Sequence, residues 1–202
     1  MSYDALIVAL GNPGPRYLKT RHNAGFMLGD LLALNWNQKF QHKSALKADV
    51  VEYSKDDKKI LLMKPQTFMN LSGKSLTSLF EKNKELRDCP IIALHDESDF
   101  PFGRIKVKMG GSDAGHNGLK SIRETLGHGE FYRVRLGVGR PPRGGEQDLA
   151  SYVLESFNSK ENDKLIDMLN VGVDVVEALL WKDLAKAQAL ASQSKNEEEE
   201  IK

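Results

Sequence analysis

A chain of 202 residues with 40% hydrophobic and 28% charged side chains has globular composition, with apolar material for one domain or at most two small ones. Its 17 glycines and 7 prolines exclude collagen-like or low-complexity sequence, and its one cysteine, Cys89, excludes an internal disulfide framework and a cysteine-based zinc cluster. The net charge of +1 hides an asymmetry: residues 102–143 carry nine basic side chains against three acidic ones, whereas Asn196–Lys202 contains the run Glu197–Glu200.

In chain order, Asp4–Leu10 is a compact apolar run ending in Gly-Asn-Pro-Gly, as a buried strand feeding a loop does. Asn23–Trp36 reads as a helix. Lys47–Tyr53 and Lys59–Lys64 read as a hairpin around the polar turn Ser54–Lys58. Asn70–Lys82 is predicted helical with Asn70 as its N-cap, and Pro90–Leu94 is a short buried strand. Arg104–Met109 alternates basic and apolar residues like a half-exposed strand. Asn117–Leu126 is helical, and Tyr132–Val138 alternates again, with Arg133 and Arg135 on one face. Gly139–Gln147 is a loop, followed by helices over Leu149–Phe157 and Glu161–Ser192, the latter broken near Val171–Gly172. Alternating strands and helices with no dividing linker predict an α/β fold. It is a single domain over residues 1–192, a mixed twisted β-sheet flanked by helices, with 193–202 as a disordered acidic tail.

No window reaches the ~18 consecutive apolar residues of a membrane span. Asp4 stands where a secretory signal would want positive charge, so a soluble, cytoplasmic protein is expected. Ser72-Gly-Lys-Ser75 resembles the end of a phosphate-binding loop, but Phe68 stands where its first glycine belongs. Gly137-Val-Gly139 lacks the third glycine of a dinucleotide fingerprint, and no serine-nucleophile elbow exists. The five histidines form no metal-binding pair of the H-E-x-x-H kind, which disfavours a metal site, although histidines and carboxylates distant in the chain could still converge in space.

Four loops concentrate polar residues: Gly11–Tyr17 with Thr20–Gly25, Lys64–Gly73, His95–Pro101 and Gly110–Leu119. Taken singly, their asparagines and aspartates are ordinary turn residues or caps. Together they suggest water activation. A histidine at a helix start, His22, feels the positive end of the dipole, which lowers its pKa and keeps it neutral. Asp96 could hold its other ring nitrogen, and carboxamides could orient water or donate to an oxyanion. Direct attack by water suits an ester better than an amide, because the alcohol leaves more readily than the amine. The basic segment suits a polyanionic partner such as nucleic acid, leaving a non-catalytic RNA binder and a general small-ester hydrolase as the competing readings.

The loops as a set resemble the bacterial peptidyl-tRNA hydrolases. The matching stretches are Val8–Gly14, Tyr17, Thr20–Gly25, Lys64–Gly73, His95–Asp99, Gly115–Lys120 and Arg135–Pro141, in family order. The resemblance implies a monomeric, cytoplasmic enzyme without cofactor or metal that cleaves the ester between a peptide and tRNA and so recycles tRNA from aborted translation. Carried over by position, it implies His22 as general base supported by Asp96, and Asn12 as the discriminator of a blocked amino group. Tyr17, Phe68 and Asn70 would contact the acceptor end, Asn70 also stabilising the tetrahedral centre. Asn117 would hold the water or the 3′-terminal nucleotide, and Met69 would line the pocket. Lys106, Lys108, Arg133, Arg135 and Arg140 would meet phosphates. Two departures stand out: Asp113-Ala114 where the family usually has glycine, and Ser98 where an apolar residue is common.

Overall fold

The computed structural model describes residues 3–142, 147–181 and 183–194. Arg143, part of the expected basic segment, and the acidic run Glu197–Glu200 lie outside the described residues. Seven strands form one sheet: β1 (Ala5–Ala9), β2 (Gln41–Lys43), β3 (Ala48–Lys55), β4 (Lys58–Pro65), β5 (Ile91–Glu97), β6 (Ile105–Met109) and β7 (Tyr132–Gly137), in the order β2-β3-β4-β1-β5-β7-β6. The central β4-β1-β5-β7 pairings are parallel, and the β2-β3-β4 meander and β6 add antiparallel edges.

The alternation of β1 explains the layering. Ala5, Ile7 and Ala9 join one apolar cluster and Leu6, Val8 and Leu10 the other, because successive side chains leave opposite faces of a strand. The first cluster is covered by α1 (Ala24–Asn35), α5 (Asn162–Leu180) and α6 (Leu184–Ser192), the second by α2 (Ser72–Lys82) and α3 (Asn117–Leu126). Helix α1 is apolar nearly all round because it is packed between the sheet and α5. Its glycines permit the approach: a Cβ on Gly25 would lie 2.3 Å from the Leu94 carbonyl oxygen and 2.6 Å from that of Leu10.

Four expectations are corrected. The strand expected over Pro90–Leu94 continues to Glu97, because pairing with β7 extends through Asp96↔Leu136 and Glu97↔Gly137. Asp96 is therefore a strand residue, and not the loop residue its polarity suggested. Helix α5 runs unbroken through Gly172, which instead lets Leu28 of α1 pack against it; the chain breaks later, where Trp181 caps α5 and Asp183 caps α6. Finally, α4 covers only Leu149–Val153, and Asn70 does not cap α2. It lies in a 3-10 turn, Met69–Leu71, and Leu71 is the residue that precedes the helix.

Candidate active site

The polar loops converge beyond the carboxyl ends of β1, β4 and β5, where parallel sheets place their binding crevices. A cleft of about 610 Å³ opens there, lined by Asn12, Tyr17, His22, Phe68, Met69, Asn70, Asp96 and Asn117 together with His116 and the apolar residues of α4. All of the expected catalytic residues and the expected acceptor-end contacts therefore share one cavity. Lys106, Lys108 and Arg135 stand outside it, on β6 and β7.

The Asn12 turn is built by a reciprocal amide lock. Asn12 N–H donates to Asn23 Oδ1 (2.8 Å), and Asn23 Nδ2 returns a bond to the Asn12 carbonyl (3.0 Å). The Met69 N–H donates to Asn12 Oδ1 at 2.8 Å. The acceptor end of the Asn12 carboxamide is thereby occupied, and its NH2 end is left for a bound molecule. Asn23 thus ties the first loop to the start of α1, a role its place in the Thr20–Gly25 stretch did not reveal.

His22 sits in a 3-10 turn, Arg21–Asn23, directly before α1. Its Nδ1 lies 2.9 and 3.0 Å from the two carboxylate oxygens of Asp96, which is 3% exposed. A proton on Nδ1 donating to the carboxylate leaves Nε2 as the basic nitrogen. Asp96 is held from a second side by His116, whose Nε2 lies 2.9 Å from Oδ1. The tautomer of His116 follows from its other nitrogen: Nδ1 accepts the N–H groups of Gly118 (3.1 Å) and Leu119 (3.3 Å), capping α3, so the proton sits on Nε2 and donates to Asp96. His116 is the Asp96 partner in the cleft that residue-by-residue reading missed; its adjacency to Asn117 was the available signal.

The electrostatics depart from the helix-dipole expectation. Burial pushes the His22 imidazole down, but the charge of Asp96 and its hydrogen bond outweigh that, and the net shift is upward from 6.5. A full negative charge at bonding distance in a dry site exceeds the half-charge of a helix terminus. Burial raises Asp96, and the two imidazoles bonded to it reverse this, holding it well below the usual carboxylate range. His95, fully buried beside His116, is pushed down to about 3 by desolvation first and by His116 second, and its Nε2 has no hydrogen-bond partner among the described residues. Donor atoms of His22, Asp96 and His116 lie within 4.8 Å of one another, a grouping that could also hold a metal ion. The same nitrogens here make the hydrogen bonds to Asp96.

Around the site, Arg21 anchors the segment after α4. Its guanidinium meets Glu161 at 2.8 Å and the Ser156 carbonyl at 2.9 Å while stacking on Tyr152 and Phe157. The expected phosphate contacts divide. Arg133 is 3% exposed and donates to the Gly111 and Ser112 carbonyls, so it holds the fourth loop and is not available to a phosphate. Arg135 pairs with Glu97 at 2.8 Å, and Arg140 pairs with Asp99. Lys106 and Lys108 are exposed and, among the described residues, have no carboxylate partner. The Asp113-Ala114 departure also gains a reason. Asp113 bonds Arg123 of α3 at 2.8 Å and its carbonyl accepts the His116 N–H at 2.8 Å, and Ala114 tolerates a left-handed φ of 47°. That conformation costs roughly 1–2 kcal/mol for a residue with a Cβ.

An imidazole held by a buried carboxylate at the strand ends of an α/β sheet, with carboxamides around it, is the site of a hydrolytic enzyme. The peptidyl-tRNA hydrolase family model matches residues 6–199. Relatives named peptidyl-tRNA hydrolase include one from Geobacter sulfurreducens, 46% identical over 92% of this chain and 93% of its own length. Another, from Mycobacterium sp. (strain KMS), is 44% identical over 94% and 97%. The crystal structure of the peptidyl-tRNA hydrolase from Acinetobacter baumannii superposes with a TM-score of 0.86 at 30% identity, covering 96% of this chain and 97% of that one. The chain belongs to the peptidyl-tRNA hydrolase family.

Proposed function

We propose that this chain, working as a cytoplasmic monomer without cofactor or metal, hydrolyses the ester between a peptide and the terminal ribose of tRNA, with His22 as general base. The carrying observation is the 2.9 Å bond from His22 Nδ1 to the buried Asp96 carboxylate, inside the cleft that also holds three carboxamides. His22 Nε2 takes a proton from water as that water attacks the ester carbonyl, and Asp96 stabilises the imidazolium. The NH2 groups of Asn70 and Asn117 are the donors available to the oxyanion. The imidazolium then returns its proton to the departing ribose oxygen, freeing tRNA and peptide. Asn12 uses its free NH2 to read the acyl group of the blocked amine. Tyr17 and Phe68, edge to face at 6.5 Å with Phe68 half-exposed, offer the acceptor end an aromatic surface, and buried Met69 lines the cleft with them. Lys106 and Lys108 serve phosphates, while Arg135, opposite Lys106 on β7, stays paired with Glu97.

N-acetyl-aminoacyl-tRNA tests the reading. The wild type releases free tRNA, and His22→Ala loses turnover by more than about 10³-fold while tRNA binding persists. Binding without release by the wild type would return the protein to the RNA-binding reading, and an active His22→Ala would remove the base assignment.

A further inference from the structure

The loop between β5 and β6 carries an aromatic ring that the reaction above does not use. Phe100 is half-buried, and the backbone around it is held on β7. Its carbonyl accepts the Gly139 N–H at 3.0 Å, and the Gly103 N–H donates to the Gly137 carbonyl at 3.1 Å. A Cβ on Gly137 would lie 3.0 Å from the Phe100 Cβ and 2.3 Å from the Pro101 carbonyl oxygen. Glycine at 137 therefore lets the loop lie this close, and the fold itself fixes where the ring sits.

Cations gather on that ring. Arg135 Cζ lies 4.3 Å from its centroid, Lys106 Nζ 4.8 Å and Arg104 Cζ 5.9 Å. Lys106 and Arg135 are register partners across β6 and β7. Both leave the sheet face opposite to the one where Ile105, Val107, Val134 and Leu136 join the apolar cluster under α5 and α6. Like charges directly opposite one another on a ladder repel. Two features offset the repulsion here. Glu97 Oε2 accepts from Arg135 Nε at 3.0 Å and Nη2 at 2.8 Å, and the negative face of the phenyl ring attracts both cations. Lys108, two residues further along β6 on the same face, is exposed and has neither a ring nor a carboxylate partner among the described residues.

We propose that Phe100 is a positioning residue for Lys106: its ring holds the ammonium beside Arg135, so a tRNA phosphate meets a lysine that is already ordered. The role in binding rests on the phosphate reading above; the ring contact stands apart from it. A lysine side chain that must be immobilised on binding costs affinity, and ordering it beforehand on the ring removes that cost. Phe100→Leu keeps an apolar side chain in the loop and deletes the π face, so the ordering falls on the binding step. For one immobilised side chain that is roughly two- to tenfold in affinity.

The contact is read without RNA. Reductive methylation with isotope-labelled formaldehyde marks the lysines for NMR and keeps their charge, and Lys106→Arg assigns the Lys106 signal by its loss. In the wild type the Lys106 methyl signal is expected upfield of that of Lys108, moved by the ring current, and Phe100→Leu brings the two together. Coincident signals in the wild type, or an upfield signal that survives Phe100→Leu, overturn the contact. The consequence is read on N-acetyl-aminoacyl-tRNA at low salt. Phe100→Leu is expected to raise KM about two- to tenfold with kcat within about twofold, and Phe100→Tyr, which keeps the π face, to stay near the wild type. A wild-type KM in Phe100→Leu, or an equal loss in Phe100→Tyr, overturns the positioning role. Adding Phe100→Leu to Lys106→Ala separates the routes: no further loss is expected if the ring acts through the lysine, and losses that multiply show the ring itself touching RNA and overturn the proposal. Unchanged tRNA binding in Lys106→Ala sinks the phosphate reading, and the role in binding with it, while the ring-current shift still decides the contact.

Discussion

Replacing Asp96 by Asn keeps the shape of the site and removes one charge. Both imidazoles bond Oδ1 at 2.9 Å, and His22 Nδ1 also lies 3.0 Å from Oδ2. In Asp96→Asn, an amide oxygen at Oδ1 can still accept from both rings. Its NH2, now at the Oδ2 position, then faces the Nδ1–H of His22 as a second donor. The ring relieves this by moving its proton to Nε2 and accepting from the amide, which puts hydrogen on the nitrogen that must act as base. Losing a charge-assisted bond alone is worth about 1.5–3 kcal/mol, or roughly 10- to 150-fold in rate. The wrong tautomer raises the loss toward the ~10⁴ that the same substitution costs behind a catalytic histidine. We expect kcat to fall about 10²–10⁴-fold with little change in tRNA affinity. Because Asp96 holds the His22 pKa above 6.5, the acid limb of the remaining activity moves to lower pH. The assay is release of tRNA from N-acetyl-aminoacyl-tRNA between about pH 5 and 9, with thermal unfolding to verify the fold. A kcat within about threefold of wild type and an unmoved acid limb would falsify the coupling of Asp96 to the base.

Lys106→Ala weakens tRNA binding and makes the salt dependence shallower by about one unit of slope; titrations at several salt concentrations read both, and an unaltered slope moves the RNA surface elsewhere. Gly25→Ala forces a methyl to 2.3 Å from the Leu94 carbonyl, displacing the start of α1 and the His22 turn with it. A cost of about 3 kcal/mol or more, roughly 6–12 °C in Tm, is expected by calorimetry, and a wild-type Tm would disprove the close approach. His95 predicts part of the acid sensitivity. Its folded pKa of about 3 lies below the unfolded 6.5, so between those values the unfolded chain holds a proton that the folded chain lacks. Acidification through that window removes stability at up to about 1.4 kcal/mol per pH unit. His95→Leu should gain on wild type as pH falls through it in urea titrations, and parallel curves would rule the effect out.

Much of the site was legible because its residues are local exceptions. Carboxamides, histidines and glycines crowded into loops between apolar strands have no packing reason to be there, so their positions pointed to chemistry before any coordinates. The errors share a cause as well. Asn70 carried the signature of a helix cap, but the chain tightens into a 3-10 turn first and leaves it exposed in the cleft. Gly172 had the look of a helix breaker, but Leu28 of another helix fills the space its missing side chain leaves. Arg133 and Arg135 shared an alternating face, but neighbours distant in the chain consumed both: Gly111 and Ser112 for one, Glu97 for the other.

Composition, hydrophobic period and loop motifs, all properties of neighbouring residues, were enough to determine the α/β class and the order of the central strands and helices, though not the short exposed edge strand β2. Tertiary structure alone decided that β5 carries Asp96 into contact with His22, 74 positions earlier, and with His116, 20 positions later. It likewise decided which ring nitrogen bears each proton and which cations remain unpaired. Hydrogen-bond partnership and electrostatic coupling act through space, and a linear order of residues does not record which side chains the sheet brings within 3 Å.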